Sequence, residues 1–171
     1  YNHTVLVEKE TRMTKNANYL DLLENNLPYQ IEYTANFNKS FRREFQARFI
    51  GDEVTPDEFS ILYAITNVPD ISQSEIATLL FKGKAHVGKI LNDMETRGII
   101  KRIADTKNNI MIKKNILTDK GKAIFAKGDV EINKVRHLME REFTPQELDK
   151  FIYYLKKYRQ IQSSIVDVKL K

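Results

Sequence analysis

The chain has 171 residues, of which 42% are hydrophobic, and this is enough for one compact domain or two closely fused ones. It contains no cysteine, which excludes disulfides, thiol catalysis and cysteine-based zinc sites. Its three histidines are not paired at helical spacing, which argues against a histidine-rich metal site and leaves only carboxylate sites open. The formal net charge is +5.

No apolar run reaches the roughly 20 residues that a membrane helix requires, and the N-terminus lacks the basic-then-apolar order of a signal peptide. We therefore expect a globular, cytoplasmic protein with no membrane partner, no metal and no other cofactor. Met13 is a candidate natural start. Residues 1–12 are then either added sequence or a poorly ordered arm, and we assign them no function.

The first predicted long helix runs from Pro28 to Phe49 and ends before Gly51. Its apolar residues lie mostly four apart and form an aromatic seam: Ile31, Phe37, Phe41, Phe45 and Phe49. A short helix over residues 18–25 is expected to precede it.

Three further helices have clear starts, at Thr55, Ser72 and Thr144. Each of these residues is followed three positions later by glutamate, which is the capping-box pattern. The first of these helices ends before Pro69, and the second is short. Another helix follows it, with Gly83 as its N-cap and Gly98 at its end.

The helical pattern stops after Gly98. Residues 99–103 and 110–117 read as two strands joined by a polar turn over residues 104–109. Thr118 then caps another helix, and the Thr144 helix follows. Two short helices followed by a two-stranded hairpin predict a winged helix-turn-helix.

The predicted fold class is therefore mainly α with a small β-hairpin wing. The predicted domains are an N-terminal arm and short helix over residues 1–27, a helical dimerisation region over 28–50 and 118–171, and a winged helix-turn-helix DNA-binding domain over 51–117. The apolar stripes of the two C-terminal helices have more surface than a monomer of this size can cover, which favours a homodimer.

The positive charge is concentrated in one fifth of the chain. Residues 82–114 hold nine bases and three acids, a balance of +6, while the remainder balances at −1. A cluster of this kind is typical of a surface that binds a phosphate backbone. The alternative is a solvated basic surface without a partner.

The helix after Gly83 has two contrasting faces. Val87, Ile90, Leu91 and Met94 form an apolar stripe, and Lys84, His86 and Lys89 lie on the other side. Gly88 lies within this helix, where glycine costs about 1 kcal/mol relative to alanine. We interpret it as allowing close approach to DNA in the major groove, where the lysines neutralise phosphates or donate to guanine.

These observations give a set of candidate DNA-binding residues. They are Ser72, Gln73, Lys82, Lys84, Ala85, His86, Gly88, Lys89, Lys107, Asn108 and Asn109. Ser72 is equally well explained as a helix cap alone.

Four segments together resemble the MarR family of bacterial transcription regulators. They are VTPDEFSILYAI (54–65), ISQSEIATLL (71–80), ILNDMETRGIIKR (90–102) and LTDKGKAIF (117–125). The resemblance extends from about Pro28 to Ile165. It implies a homodimer, formed by the first and last two helices, that binds a palindromic operator. It also implies, as is usual in the family, a repressor that is released by a small, often aromatic, ligand or by another signal.

The chain departs from the family pattern in two places. The start of the recognition helix, usually Ser-Arg-Ser/Thr-Thr-Val-Thr-Arg, is here the run 83–89, GKAHVGK, so an unusual operator preference is expected. In the wing, Asn108-Asn109 stands opposite the family's Asp-Arg pair. Lys107, Lys113 and Lys114 are candidates to replace that arginine, although lysine is the more heavily hydrated ion.

The sequence does not favour an enzyme, because it contains no complete P-loop, no nucleotide-binding fingerprint and no nucleophile elbow. The alternative to a DNA-binding regulator is a winged-helix module that binds an acidic protein. The effector site is unknown. The aromatic residues Phe37, Phe41 and Phe45, with Phe59 and Tyr63, either line an effector pocket or pack in the core and interface.

Overall fold

The computed structural model describes residues 23–107 and 110–167. The chain divides into two compact units between Phe45 and Gln46. In the first unit, helix α1 spans Leu27–Phe45 and buries none of its residues. The predicted short helix over residues 18–25 lies mostly outside the described residues.

The second unit contains the remaining elements, in the predicted order. They are a π-helical turn (Gln46–Ile50), α2 (Pro56–Asn67), α3 (Gln73–Leu80), α4 (Lys84–Thr96), β1 (Ile100–Lys107), β2 (Ile110–Leu117), α5 (Asp119–Glu142) and α6 (Pro145–Ile165). The fold is therefore mainly α with a two-stranded wing, as predicted.

The helix starts agree closely with the sequence. Thr55, Ser72 and Thr144 each form a complete capping box, in which the hydroxyl accepts from the third backbone N–H of the helix and the glutamate accepts from the cap N–H. Gly83 is the N-cap of α4 and contributes no side-chain cap. Gly98 has a φ of 67°, a left-handed conformation that suits glycine at the end of that helix.

The wing is an antiparallel pair in which Ile100 lies opposite Leu117 and Lys107 opposite Ile110. The predicted first strand ended at Ile103, and this was wrong, because β1 continues to Lys107. Strand β2 offers backbone partners along its whole length. Backbone pairing, rather than the polarity of residues 104–107, therefore determines where the strand ends.

The core lies where α2, α3 and α4 pack around the base of the wing. Its fully buried side chains are Ile61, Leu62, Ile76, Val87, Leu91, Met94, Ile99 and Ile100. Phe59 of α2 is also buried and stacks on Phe125 of α5, with 6.1 Å between ring centroids. Core packing thus explains Phe59 without an effector pocket.

Helix α5 begins against the base of the wing. The Thr118 hydroxyl lies within hydrogen-bonding distance of the carbonyl oxygens of Gly98 (2.6 Å) and Ile99 (3.0 Å). A Cβ at Gly121 would collide with the same Ile99 carbonyl, so this position requires glycine. Across the described ranges, no helix combines the length and apolar character needed to cross a membrane.

Candidate nucleic-acid interface

Helix α4 packs on the domain by one face only. Val87, Leu91 and Met94 are fully buried against the neighbouring elements. The opposite face carries four of the predicted site residues, all of them exposed: Lys84, Ala85, His86 and Lys89. The apolar stripe therefore anchors the helix and presents its cationic face to solvent, as the spacing of the residues predicted.

Helix α3 contributes a side chain to the start of α4. Gln73 is the first residue of α3, and its Nε2 donates to the carbonyl oxygen of Lys84 over 2.8 Å. Gly83 has no side chain with which to cap α4. The carboxamide of Gln73 thus connects the first turn of α4 to the preceding helix.

Gly88 faces this same carboxamide. A Cβ built on Gly88 would lie 2.8 Å from Nε2 of Gln73 and 3.5 Å from its Cδ. The sequence interpretation placed DNA over this glycine, whereas in the structure a side chain of the same domain lies there. The absence of a side chain at residue 88 makes room for Gln73.

Ser72 lies exposed beside Gln73 and acts as the N-cap of α3. Its hydroxyl accepts from the backbone N–H of Glu75 over 3.2 Å, and its own N–H donates to Oε2 of Glu75 over 2.7 Å. The hydroxyl retains its proton, so capping leaves Ser72 able to donate a further hydrogen bond.

Lys82, in the turn between α3 and α4, is paired within the chain. Its Nζ lies 3.0 Å from Oδ2 of Asp57, and both side chains are partly exposed. In the wing, Lys114 is paired in the same way with Asp70, at 2.6 Å. A phosphate approaching either lysine therefore meets a cation that already has a carboxylate partner.

The segment that contains these residues matches a known family. Residues 53–108 match the model of the MarR family, and this range runs from before α2 to the end of β1. This part of the chain is therefore similar to the MarR family. No curated protein matches the chain by sequence.

Solved structures show the same fold over most of the chain. A MarR/EmrR family regulator from Acinetobacter sp. ADP1 is 19% identical with a TM-score of 0.68, covering 83% of this chain and 98% of its own. MepR from S. aureus, solved as a DNA complex, is 18% identical with a TM-score of 0.65, covering 81% and 98%. PcaV from Streptomyces coelicolor, solved with its natural ligand, is 13% identical with a TM-score of 0.60, covering 81% and 94%.

The MarR family, whose model residues 53–108 match, consists of transcription regulators, which agrees with the prediction that this chain is not an enzyme. Among the residues that the structure describes, no three histidine or acidic side chains are grouped so as to hold a metal ion.

Arg97, at the end of α4, has a role that the sequence did not reveal. It pairs with the buried carboxylate of Glu58, lies 3.0 Å from Oδ2 of Asp93, and donates to the carbonyl oxygen of Glu53 over 2.9 Å. Oε2 of Glu58 also accepts from the backbone N–H of Thr55, the N-cap of α2. Arg97 thus fixes the end of α4 to the start of α2, although the sequence indicated only that it belongs to the basic cluster.

The tip of the wing lies partly outside the described residues. This applies to Asn108, Asn109 and the side chain of Lys107, whose backbone ends β1. Lys113 on β2 is exposed. Of the predicted site residues, the structure thus groups Gln73, Lys84 and Gly88 by direct contact and gives Lys82 a different partner.

Proposed function

We propose that this protein is a homodimeric DNA-binding transcription regulator that inserts α4 into the major groove of a duplex. One observation carries the proposal: α4 is anchored by a fully buried stripe and exposes Lys84, His86 and Lys89 on its opposite face. A helix in the major groove reads base edges with its exposed side chains, and cations there neutralise phosphates. The similar protein MepR was solved as a DNA complex, which supports DNA binding by this fold.

The other DNA contacts in this proposal come from the elements that flank α4. Ser72 approaches the backbone from α3, and Lys82 does so from the intervening turn, while Gln73 lies beside Ser72 and contacts the first turn of α4. The wing contributes Lys107, Asn108 and Asn109. Because Lys82 already has Asp57 as a partner, we expect it to contribute less than Lys84 or Lys89.

The proposed dimerisation region consists of the helices over residues 28–50 and 118–171, and the DNA-binding domain of residues 51–117. Helix α6 supports this division, because it spans 21 residues and buries none of them. It exposes several large apolar side chains, among them Phe151 at 61% and Ile152 at 48%. Two copies related by a two-fold axis would present two α4 helices to a palindromic operator.

We further propose a repressor that acts in the bacterial cytoplasm and is released by a small ligand. A dimer that covers an operator blocks other proteins from the same stretch of DNA, which favours repression. The ligand complex of the similar protein PcaV supports a small-molecule effector. The effector site is left unassigned, because Phe59 stacks on Phe125 in the core.

A salt titration on random-sequence duplex tests the proposal. The logarithm of the binding constant should fall linearly with the logarithm of salt concentration, with a slope of about −0.9 per phosphate neutralised. Absence of duplex binding at low salt would contradict DNA recognition. It would favour the alternative, a winged-helix module whose basic face binds an acidic protein.

Selection from a random-duplex pool tests the dimer geometry. The expected product is a palindrome whose half-sites are about one helical turn apart, roughly 34 Å from centre to centre. A single, asymmetric half-site among the selected sequences would contradict recognition by a two-fold dimer.

A further inference from the structure

The contact between Gln73 and Gly88 joins two helices that the proposed function uses differently. Gln73 begins α3, and Gly88 lies in the second turn of α4. The carboxamide donates to the Lys84 carbonyl over 2.8 Å, and the space above Gly88 accommodates it. Any larger residue at position 88 would force the carboxamide to move.

This contact restrains the turn of α4 that carries the candidate base contacts. Lys84, Ala85 and His86 are consecutive in that turn, and all three are exposed. The buried anchors Leu91 and Met94 lie further along the helix. Val87, which follows His86, is also fully buried, and since Gly83 supplies no side-chain cap the Gln73 carboxamide adds a second restraint near the start of the helix.

We propose that Gln73 is a positioning residue for sequence-specific DNA recognition, and that residue 88 is glycine to admit its carboxamide. The proposal rests on the proposed function, because it concerns how α4 meets the duplex. A fixed first turn holds its side chains in register with the base edges. This restraint should increase the affinity for the specific sequence, whereas non-specific affinity depends mainly on the total charge.

The proposal differs from the sequence interpretation of Gly88 in a measurable way. If DNA itself approaches Gly88, a Cβ there harms binding whatever residue occupies position 73. If Gly88 serves to admit Gln73, a Cβ there has no further effect once the carboxamide donor is gone. A double-mutant cycle on the two positions therefore separates the explanations.

The test compares Gln73→Met, Gly88→Ala and the double variant, using the full chain and two duplexes: the sequence selected from the random pool and a random duplex. Methionine has nearly the length of glutamine and lacks the amide donor, which makes it a matched replacement. For each variant the measurements are affinity for both duplexes, the salt slope and the melting temperature.

Each single variant should lower the ratio of specific to random affinity about fivefold, the usual effect of one lost hydrogen bond. Random-duplex affinity and the salt slope should stay unchanged, because no charge is removed. The double variant should be no worse than either single variant. The melting temperature of Gly88→Ala should not fall, because only the end of a flexible side chain must move and alanine is the better helix former.

Three outcomes would overturn the proposal while wild-type DNA binding persists. They are an unchanged specificity ratio in Gln73→Met, an equal loss on both duplexes, which would indicate a direct phosphate contact, and additive losses in the double variant, which would indicate that DNA approaches Gly88. Failure of the wild-type protein to bind any duplex would instead refute the proposed function, and with it the role of Gln73 in DNA recognition.

Discussion

Helices α4 and α6 show the same amphipathic pattern but differ in what covers their apolar stripes. In α4, three stripe residues are fully buried within the chain. In α6, which is longer, no residue is buried, and Phe151 is 61% exposed. The spacing of apolar residues predicts that a helix has an apolar face, but only the structure shows whether the same chain covers that face.

The difference separates two kinds of stability. The buried residues of α4 stabilise the fold of a single chain. Truncating one of them should therefore lower the free energy of unfolding by an amount that does not depend on protein concentration. The exposed stripe of α6 should contribute only where a second copy covers it, and its effects should depend on concentration. Substitutions in the two stripes test this distinction, and a substitution on the exposed cationic face of α4 tests DNA binding.

The largest expected effect is that of Leu91→Ala, which leaves a cavity beneath α4. We expect a loss of about 3 kcal/mol in the free energy of unfolding, within the usual range for a buried leucine. Denaturant unfolding at two protein concentrations measures it, and the loss should be the same at both. The paired variant is Phe151→Ala, for which any loss should shrink as the protein is diluted and the dimer dissociates. A concentration-independent loss for Phe151→Ala would contradict the distinction.

Leu155→Glu should break the proposed dimer, because it places a charge in the stripe of α6. An unpaired charge buried in an interface costs several kcal/mol, so we expect the dissociation constant of the dimer to rise by about 100-fold or more. Sedimentation velocity over a dilution series measures it. Gln160→Glu introduces the same charge away from the stripe and should leave the dimer intact. A fully dimeric Leu155→Glu variant would exclude this interface.

Lys89→Ala tests the exposed cationic face of α4. Lys89 is exposed, so its removal should weaken duplex binding about tenfold while the melting temperature stays nearly constant. Fluorescence anisotropy on the selected duplex and thermal unfolding measure the two quantities. Lys150→Ala removes an equal charge from the exposed surface of α6 and should have little effect. Equal losses for both lysines would indicate a general charge effect instead of a specific surface.

Local patterns allowed much of the fold to be predicted. The starts of α2, α3 and α6 follow from threonine or serine three residues before glutamate, and all three capping boxes are present. Capping is a short-range interaction, so its residues are adjacent in sequence as well as in space. The length of β1 was underestimated, because strand pairing depends on a partner elsewhere in the chain.

The contacts of the site were harder to predict for the same reason. Gln73 beside Gly88, Asp57 beside Lys82 and Glu58 beside Arg97 lie on α2 or α3, far from these residues in sequence. The glycine inside α4 was a visible signal that something approaches the helix closely. Sequence alone did not distinguish DNA from Gln73 as the group that lies there.

The smallest expected effect concerns the exposed cap of α6. Oε2 of Glu147 accepts from the backbone N–H of Thr144 and from its hydroxyl, both over 2.8 Å, and these hydrogen bonds hold the pKa of the Glu147 carboxyl below its usual value. Because the folded-state pKa is the lower one, the stabilisation is present above the unfolded pKa, about 4.3. It is lost as the pH falls through the folded pKa.

A carbon-detected NMR titration of the Glu147 carboxyl measures this shift directly. Thr144→Ala removes only the hydroxyl, so the midpoint should rise part of the way to the ordinary value, since the backbone N–H remains a donor. Thr144→Ser retains both donors and should keep the midpoint low. If the alanine and serine variants titrate alike, the hydroxyl does not contribute to the shift. The lowered pKa then rests on the hydrogen bond from the backbone N–H alone.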